Sequence, residues 1–239
     1  MLLHALLRSM LAPLARLVFR PVIEGRANVP RTGPVILAAN HLSFIDSVVI
    51  PLVAPRPVAF LAKADYFRGR GLKGRLSKAF FTAIAAVPVE RTDHRGAQES
   101  LDLALEVLRA GRAFGIYPEG TRSRDGRLYR GRTGVAHLAL TSGAPVVPVA
   151  LIGTDRLQPV GRKLPRPHRI TVRFGEPMTF PGVPDEAPAS TVAQARRAAT
   201  DDIMAAIAAL SGQERAAGYR ELPTTQGVWP AARQGNAQG

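Results

Sequence analysis

Cysteine is absent from the 239 residues. That excludes a disulfide framework, a thiolate nucleophile and a cysteine-ligated metal, and it suits a reducing compartment. Lysine is scarce, confined to Lys63, Lys73, Lys78 and Lys163. Acidic residues are few: 18 Asp and Glu stand against 32 Lys and Arg, for a net charge of +14. The excess is therefore arginine, whose planar guanidinium grips phosphate through two parallel hydrogen bonds. Such a chain attracts polyanions: nucleic acid, anionic lipid headgroups or phosphorylated small molecules. Aromatic residues make up only 6% and no recognised nucleic-acid motif is present, which weighs against the first of these. No apolar run approaches the roughly 20 residues that a spanning helix needs.

What is present is an ordinary hydrophobic share of 46%, in a length that one domain with a sizeable core accommodates. Residues 1–20 carry no acidic side chain. Leu2, Leu3, Leu6, Leu7, Met10, Leu11, Leu14, Leu17 and Val18 recur there at helical spacing, with Arg8, Arg16 and Arg20 between them and Pro13 bending or splitting the run. Two readings stand: a helix packed on the core, or an amphipathic helix lying on an anionic membrane. A signal peptide fits poorly, because no charge precedes the apolar part and arginines interrupt it.

The stretch from Pro34 to Asp46 is the most informative. Val35 to Ala39 is an uninterrupted apolar run of strand length, the signature of a strand buried on both faces. It stops at Asn40-His41, and Ser47 to Val53 follows as a short helix. Ligands of open α/β sheets sit where strands end and helices begin. His41 and Asp46 are five apart, so they meet only if the chain turns between them, with Asp46 in the first residues of the helix. Together they would form a general base of fixed tautomer. The plainer reading is that Asp46 or Ser43 caps the helix and His41 is a loop residue.

Beyond this, short apolar strands (57–62, 85–89, 113–117, 145–152, 169–174) alternate with amphipathic helices (72–84, 96–109, 133–141). An alanine-rich helix over 191–210, capped by Ser190 or Thr191, comes last. Alternation at this spacing predicts an α/β fold with a mostly parallel sheet flanked by helices. Residues 212–239 are polar and aperiodic and are expected to form a disordered tail. The domain organisation expected is thus an amphipathic helix at 1–20, one domain at 21–211 and a tail at 212–239.

Three strand ends carry polar clusters that can converge on one cleft: Asn40-His41 with Asp46, Glu90-Arg91, and Pro118 to Ser123. Asn40-His41 and Asp46, Val-Pro-Val-Glu-Arg at 87–91, Tyr-Pro-Glu-Gly-Thr-Arg-Ser at 117–123 and Val-Val-Pro-Val-Ala at 146–150 stand in order. In this ordered set the chain resembles the glycerophospholipid acyltransferases, in particular bacterial 1-acyl-glycerol-3-phosphate acyltransferases. The resemblance runs from about Val22 to Pro177.

The resemblance implies direct acyl transfer from acyl-CoA or acyl-acyl carrier protein to a hydroxyl, with no metal, no bound cofactor and no acyl-enzyme. It implies His41 as base, oriented by Asp46. Arg91, Glu119, Gly120, Thr121 and Arg122 would bind the acceptor's phosphate and glycerol, and Pro148 would lie on the acyl side. A structural ion pair between Glu119 and Arg122 is the simpler alternative for those two. The family's Phe-Lys-Gly element is here Tyr129-Arg130-Gly131. A lysophospholipid acceptor, an acyl thioester donor and peripheral attachment to an anionic membrane at its cytoplasmic face follow as expectations. Other acceptors (another lysophospholipid, glycerol 3-phosphate or a glycolipid) and a non-catalytic protein binding membrane or nucleic acid are the alternatives. Ser43 invites a serine hydrolase reading, but the Gly-x-Ser-x-Gly elbow of such enzymes is absent.

Overall fold

The computed structural model describes residues 21–63, 65–69, 71, 74–75, 78–79, 82, 86–89, 94–159, 161–162, 164–184 and 186–221. The expected helix at 1–20, the stretch 222–239 and the pair Glu90 and Arg91 lie outside the described residues.

Strands β1 (Val22–Glu24), β2 (Val35–Ala39), β3 (Val58–Lys63), β4 (Ala86–Val89), β5 (Ala113–Ile116), β6 (Val146–Ile152) and β7 (Thr171–Phe174) form one sheet. Their spatial order is β1-β7-β6-β2-β5-β3-β4. Every neighbouring pair is parallel except β6 and β7. The helices are α1 (Asp46–Val53), α2 (Asp65–Arg68), α3 (His94–Arg109), α4 (Gly134–Ser142), α5 (Thr154–Leu157) and α6 (Ala189–Ser211). The described residues of the helix expected at 72–84, such as Gly74, Arg75, Lys78 and Ala79, are helical. The mostly parallel, helix-flanked sheet expected from the alternation is the architecture found.

β2 lies at the centre, with all five residues fully buried. Its side chains alternate between two cores, as the two-residue period of a strand dictates. Val35, Leu37 and Ala39 join Val49, Ile50 and Val53 of α1. Ile36 and Ala38 join Leu105 and Leu108 of α3, Val135 and Leu138 of α4 and Ile203 and Ile207 of α6. Full burial of an aliphatic side chain contributes about 1.5–3 kcal/mol. β2 is thus held from both faces, and its carboxyl end is a rigid platform.

Two expectations need correcting at α6 and beyond. Pro188 is the residue before the helix and no side chain caps it, so neither Ser190 nor Thr191 has that role. The proline sets an extended entry in place of a hydroxyl cap. Nor is the chain from 212 to 221 a free tail. Gly212 ends α6 in the left-handed conformation (φ 68°) with its N–H on Ala208 O, a turn that glycine makes without steric penalty. The chain then folds back: Leu128 N–H donates to Glu214 O at 2.8 Å, and Arg130 N–H to Gly218 O at 3.0 Å. Small polar composition suggested disorder, but these backbone bonds and Arg–Tyr stacking hold the segment.

Candidate active site

The site begins with the way β2 ends. The Asn40 side chain donates to Leu151 O at 2.9 Å and accepts from Leu151 N–H at 2.7 Å. Its amide thus pairs with β6 as a backbone peptide group would, satisfying both polar groups of Leu151 while the main chain leaves the sheet. His41 follows. Its N–H donates to Glu119 Oε1 at 3.1 Å and its carbonyl accepts from Ser123 N–H at 2.7 Å. The loop after β5 therefore clamps the His41 backbone on both sides.

The turn required between His41 and Asp46 is present. Asp46 is the first residue of α1 and is fully buried. Its Oδ2 lies 2.8 Å from His41 Nδ1 and accepts from the N–H groups of Leu42 at 2.7 Å and Ser43 at 2.8 Å. Asp46 therefore closes the turn that presents His41. It does not cap α1, whose N-cap Ile45 has no side-chain bond. Ionised, Oδ2 only accepts, so the ring proton belongs on Nδ1 and the Nε2 lone pair is left for a substrate. The His41 side chain is 15% exposed, which leaves one edge reachable.

Tyr117 fixes the plane of that ring. The two rings stack with centroids 3.9 Å apart and planes at 10°. The Tyr117 Oη is 3.0 Å from Ser47 Oγ in α1, and Phe60 stacks on its ring at 5.4 Å. Phe60 in turn lies over Gly115, where a Cβ would collide with the ring, so β5 needs glycine there. Burial, and secondarily the Asp46 charge, pushes the Tyr117 hydroxyl well above its ordinary value, against a smaller opposing effect of Ser47. Tyr117 is thus a neutral phenol.

Glu119 is 1% exposed, and both its oxygens accept backbone N–H groups, from His41 and, at 2.9 Å, from Tyr129. Burial raises its carboxyl to about 7; the two backbone N–H groups pull the other way, and Asp46 and Asp125 add to the rise. It forms no ion pair with Arg122 among the described residues, so the structural pair weighed above is not found. Placed this way, Glu119 acts on a substrate only through His41 and Tyr129.

Gly120 is exposed with φ 79°, and Thr121 and Arg122 are half-buried. Among the described residues the Arg122 guanidinium has no hydrogen-bond or ion-pair partner. Ser123 N–H on His41 O ties this segment to the His41 backbone. The basic loop that follows is ordered by Asp125. Slight burial raises that carboxyl, but hydrogen bonds from Tyr129, Arg127 and Ser123 outweigh it and hold Asp125 well below the usual carboxylate range. Arg130 and Arg132 stack on Tyr219, and Arg127 and Arg220 on Tyr129.

Two further residues are placed plainly. Pro148 is buried within β6, opposite Ala38, and its ring and Leu210 both close on Gly175, where a Cβ would meet them. It sits in the interior of the sheet, on the face covered by α6. Arg91 is not among the residues placed, since it lies outside the described residues. Ser43 is buried and its hydroxyl donates to Gln158 O at 2.7 Å, so it is engaged away from the His41 ring. Sequence reasoning brought His41, Asp46 and the 119–122 segment together. It gave no role to Tyr117, although Tyr117 stands inside a motif it quoted, and none to Gln213, whose contact with Asn40 spans 173 positions.

The family model described as Acyltransferase matches residues 20–152. The Arabidopsis thaliana protein "1-acyl-sn-glycerol-3-phosphate acyltransferase LPAT1, chloroplastic" is 33% identical over 140 residues, 58% of this chain and 38% of that one. The 1-acyl-sn-glycerol-3-phosphate acyltransferase of Bacillus subtilis is 27% identical over 158 residues, 65% of this chain and 72% of that one. The matched stretch spans about two fifths of the length of these plant relatives, 40% for the Brassica napus protein and 38% for the Arabidopsis one. Among solved structures, the 1-acyl-sn-glycerophosphate acyltransferase PlsC of Thermotoga maritima is 26% identical, with a TM-score of 0.55. That likeness covers 77% of this chain and 69% of PlsC. With more than half its length matched by the family model, and its histidine and aspartate joined at the end of the central strand, this chain belongs to the acyltransferase family.

Proposed function

We propose that the chain is an O-acyltransferase that moves a fatty acyl group from acyl-CoA or acyl-acyl carrier protein to the free hydroxyl of 1-acyl-glycerol 3-phosphate, giving phosphatidic acid. The observation that carries this reading is the 2.8 Å contact between His41 Nδ1 and Asp46 Oδ2, which leaves Nε2 as a base on a backbone tied through Ser123 N–H to the segment that carries Arg122. Relatives named for the same reaction support it.

His41 Nε2 takes the proton of the acceptor hydroxyl as its oxygen attacks the thioester carbonyl. A C–O bond forms, the C–S bond breaks, and the imidazolium returns the proton to the leaving thiolate. Asp46 stabilises the imidazolium during the interval. A thioester is already activated, so a base, orientation and charge stabilisation suffice. Arg122 pairs with the acceptor's phosphate, a charge-assisted contact suited to guanidinium. Gly120 and Thr121 shape the path to it, and Arg91, two positions after Val89 in the sequence, is assigned a second phosphate contact by the family resemblance. Glu119 holds the His41 and Tyr129 backbones in register. Pro148 shapes the sheet beneath the site. No described helix is long and apolar enough to cross a membrane, and we place the chain peripherally on an anionic membrane, at its cytoplasmic face.

The test is transfer of labelled acyl from acyl-CoA to lysophosphatidate by the purified protein, alongside glycerol 3-phosphate, other lysophospholipids and a glycolipid acceptor. Lysophosphatidate is expected to be the best acceptor. His41→Ala is expected to lower kcat by about 10²–10⁴; near-wild-type turnover in that variant would show that His41 is not the base.

A further inference from the structure

Gln213 lies outside the stretch matched by the family model, on the segment that folds back after α6. Its Oε1 accepts from Asn40 Nδ2 at 2.7 Å, and its Nε2 donates to Gly126 O at 2.6 Å. Asn40 immediately precedes His41. Gly126 opens the basic loop that carries Arg127, Tyr129, Arg130 and Arg132. A primary amide is the group that accepts from one partner and donates to the other at once; a carboxylate does only the first, an alkyl group neither.

The adjoining backbone continues the connection. Leu128 N–H donates to Glu214 O, and Ala216 N–H donates to Leu128 O at 2.9 Å. Tyr129 N–H, next along, reaches Glu119 Oε2, whose other oxygen holds His41 N–H. The contacts therefore close a ring: His41, Asn40, Gln213, the basic loop, Glu119 and back to His41. Gln213 and Glu119 each tie the strand end carrying the base to the loop carrying the arginines, Gln213 through Asn40 and Gly126 and Glu119 through His41 and Tyr129.

We infer that Gln213 is a positioning residue of the acyl transfer, fixing the distance between His41 and the basic loop and thereby, because that loop follows directly on Arg122 in the chain, the distance between the base and the phosphate that Arg122 holds. The inference rests on the acyltransferase reading above. Fold stability is held elsewhere, since Ile203 and Ile207 of α6 are fully buried, so changing the amide is expected to leave the fold intact.

The experiment compares the full chain with Gln213→Ala and Gln213→Glu, the second keeping side-chain length and the acceptor for Asn40 while losing the donor to Gly126. Steady-state rates are measured with lysophosphatidate and acyl-CoA varied in turn. Amide hydrogen exchange over 126–130 is followed without substrate, and thermal unfolding by circular dichroism. Because a misplacement of about 1 Å can lower rates by about a hundredfold, both variants are expected to show an acceptor KM raised by about tenfold or more. The acyl-CoA KM and the unfolding midpoint stay as in wild type, and exchange over 126–130 quickens. Unchanged acceptor KM in either variant overturns the inference. So does a rise of both KM values together with a fallen unfolding midpoint, the mark of a merely structural role. If wild type transfers acyl to no acceptor, the acyltransferase reading fails instead, and unchanged exchange over 126–130 then separately removes the tie itself.

Discussion

At the scale of single residues, the site is a histidine whose every degree of freedom has a named cause. Its backbone is held by Glu119 and Ser123, its tautomer by Asp46 and its ring plane by Tyr117. Tyr117→Phe keeps the stack and loses only the bond to Ser47, worth about 1 kcal/mol; its kcat is expected to stay within about twofold of wild type. Tyr117→Ala removes the ring face and is expected to lower kcat by at least about tenfold. Equal rates in the two variants would separate the stack from the chemistry. Glu119 makes a pH prediction. Its carboxyl is raised from 4.5 to about 7 in the folded chain, so the native state binds the proton more tightly than the unfolded state does. Its contribution to stability is full below pH 4.5 and is lost as pH rises through 7, on the order of 3 kcal/mol. Urea unfolding across pH 4 to about 8 should show this decline in wild type and its loss in Glu119→Gln. The same variant is expected to be less active, because an amide nitrogen would face either the His41 or the Tyr129 N–H, and two donors cannot pair.

At the scale of elements, the informative contact is between strands. β2 stops at Ala39, yet β6 runs on to Ile152, so the polar groups of Leu151 need a partner that is not strand. Asn40 supplies it by side chain. Asn40→Ala leaves a buried N–H and C=O unpaired and is expected to lower the unfolding free energy by about 2–4 kcal/mol, measured in urea, with activity falling because the residue next to it is His41. Asn40→Asp keeps the acceptor and loses the donor, and should fall between. α1 plays a different part. Its first residue is the partner of the base, and Ser47 holds the tyrosine beneath it. One short helix thus orients both the tautomer and the plane of His41.

At the scale of the whole molecule, a central strand flanked by two cores holds the base, and the loop after β5, which carries Arg122, is tied to its backbone through Ser123. The net charge of +14 gives a prediction at this scale alone. Sedimentation with vesicles rich in anionic lipid is expected to exceed that with neutral vesicles and to fall as salt rises from about 0.05 to about 0.5 M, where the screening length contracts to a few ångströms. Binding independent of both lipid charge and salt would remove electrostatics as the cause. Much of this architecture was legible in advance. An apolar run such as Val35 to Ala39 must be buried on both faces, alternation of strands and helices demands a parallel sheet, and a histidine at such a strand's end falls where ligands bind. These follow from local periodicity, which the sequence by itself determines. Local pattern also misled where it had no view of a partner: Gly212 to Glu221 reads as loose because its backbone bonds go to Leu128 and Arg130, far off in the chain. Only the tertiary structure decided that Glu119 faces backbone amides, that Pro148 packs on Gly175, and that Gln213 meets Asn40. Such pairings depend on how elements pack across the sheet, and no periodicity of three or four residues encodes a contact between positions more than a hundred apart.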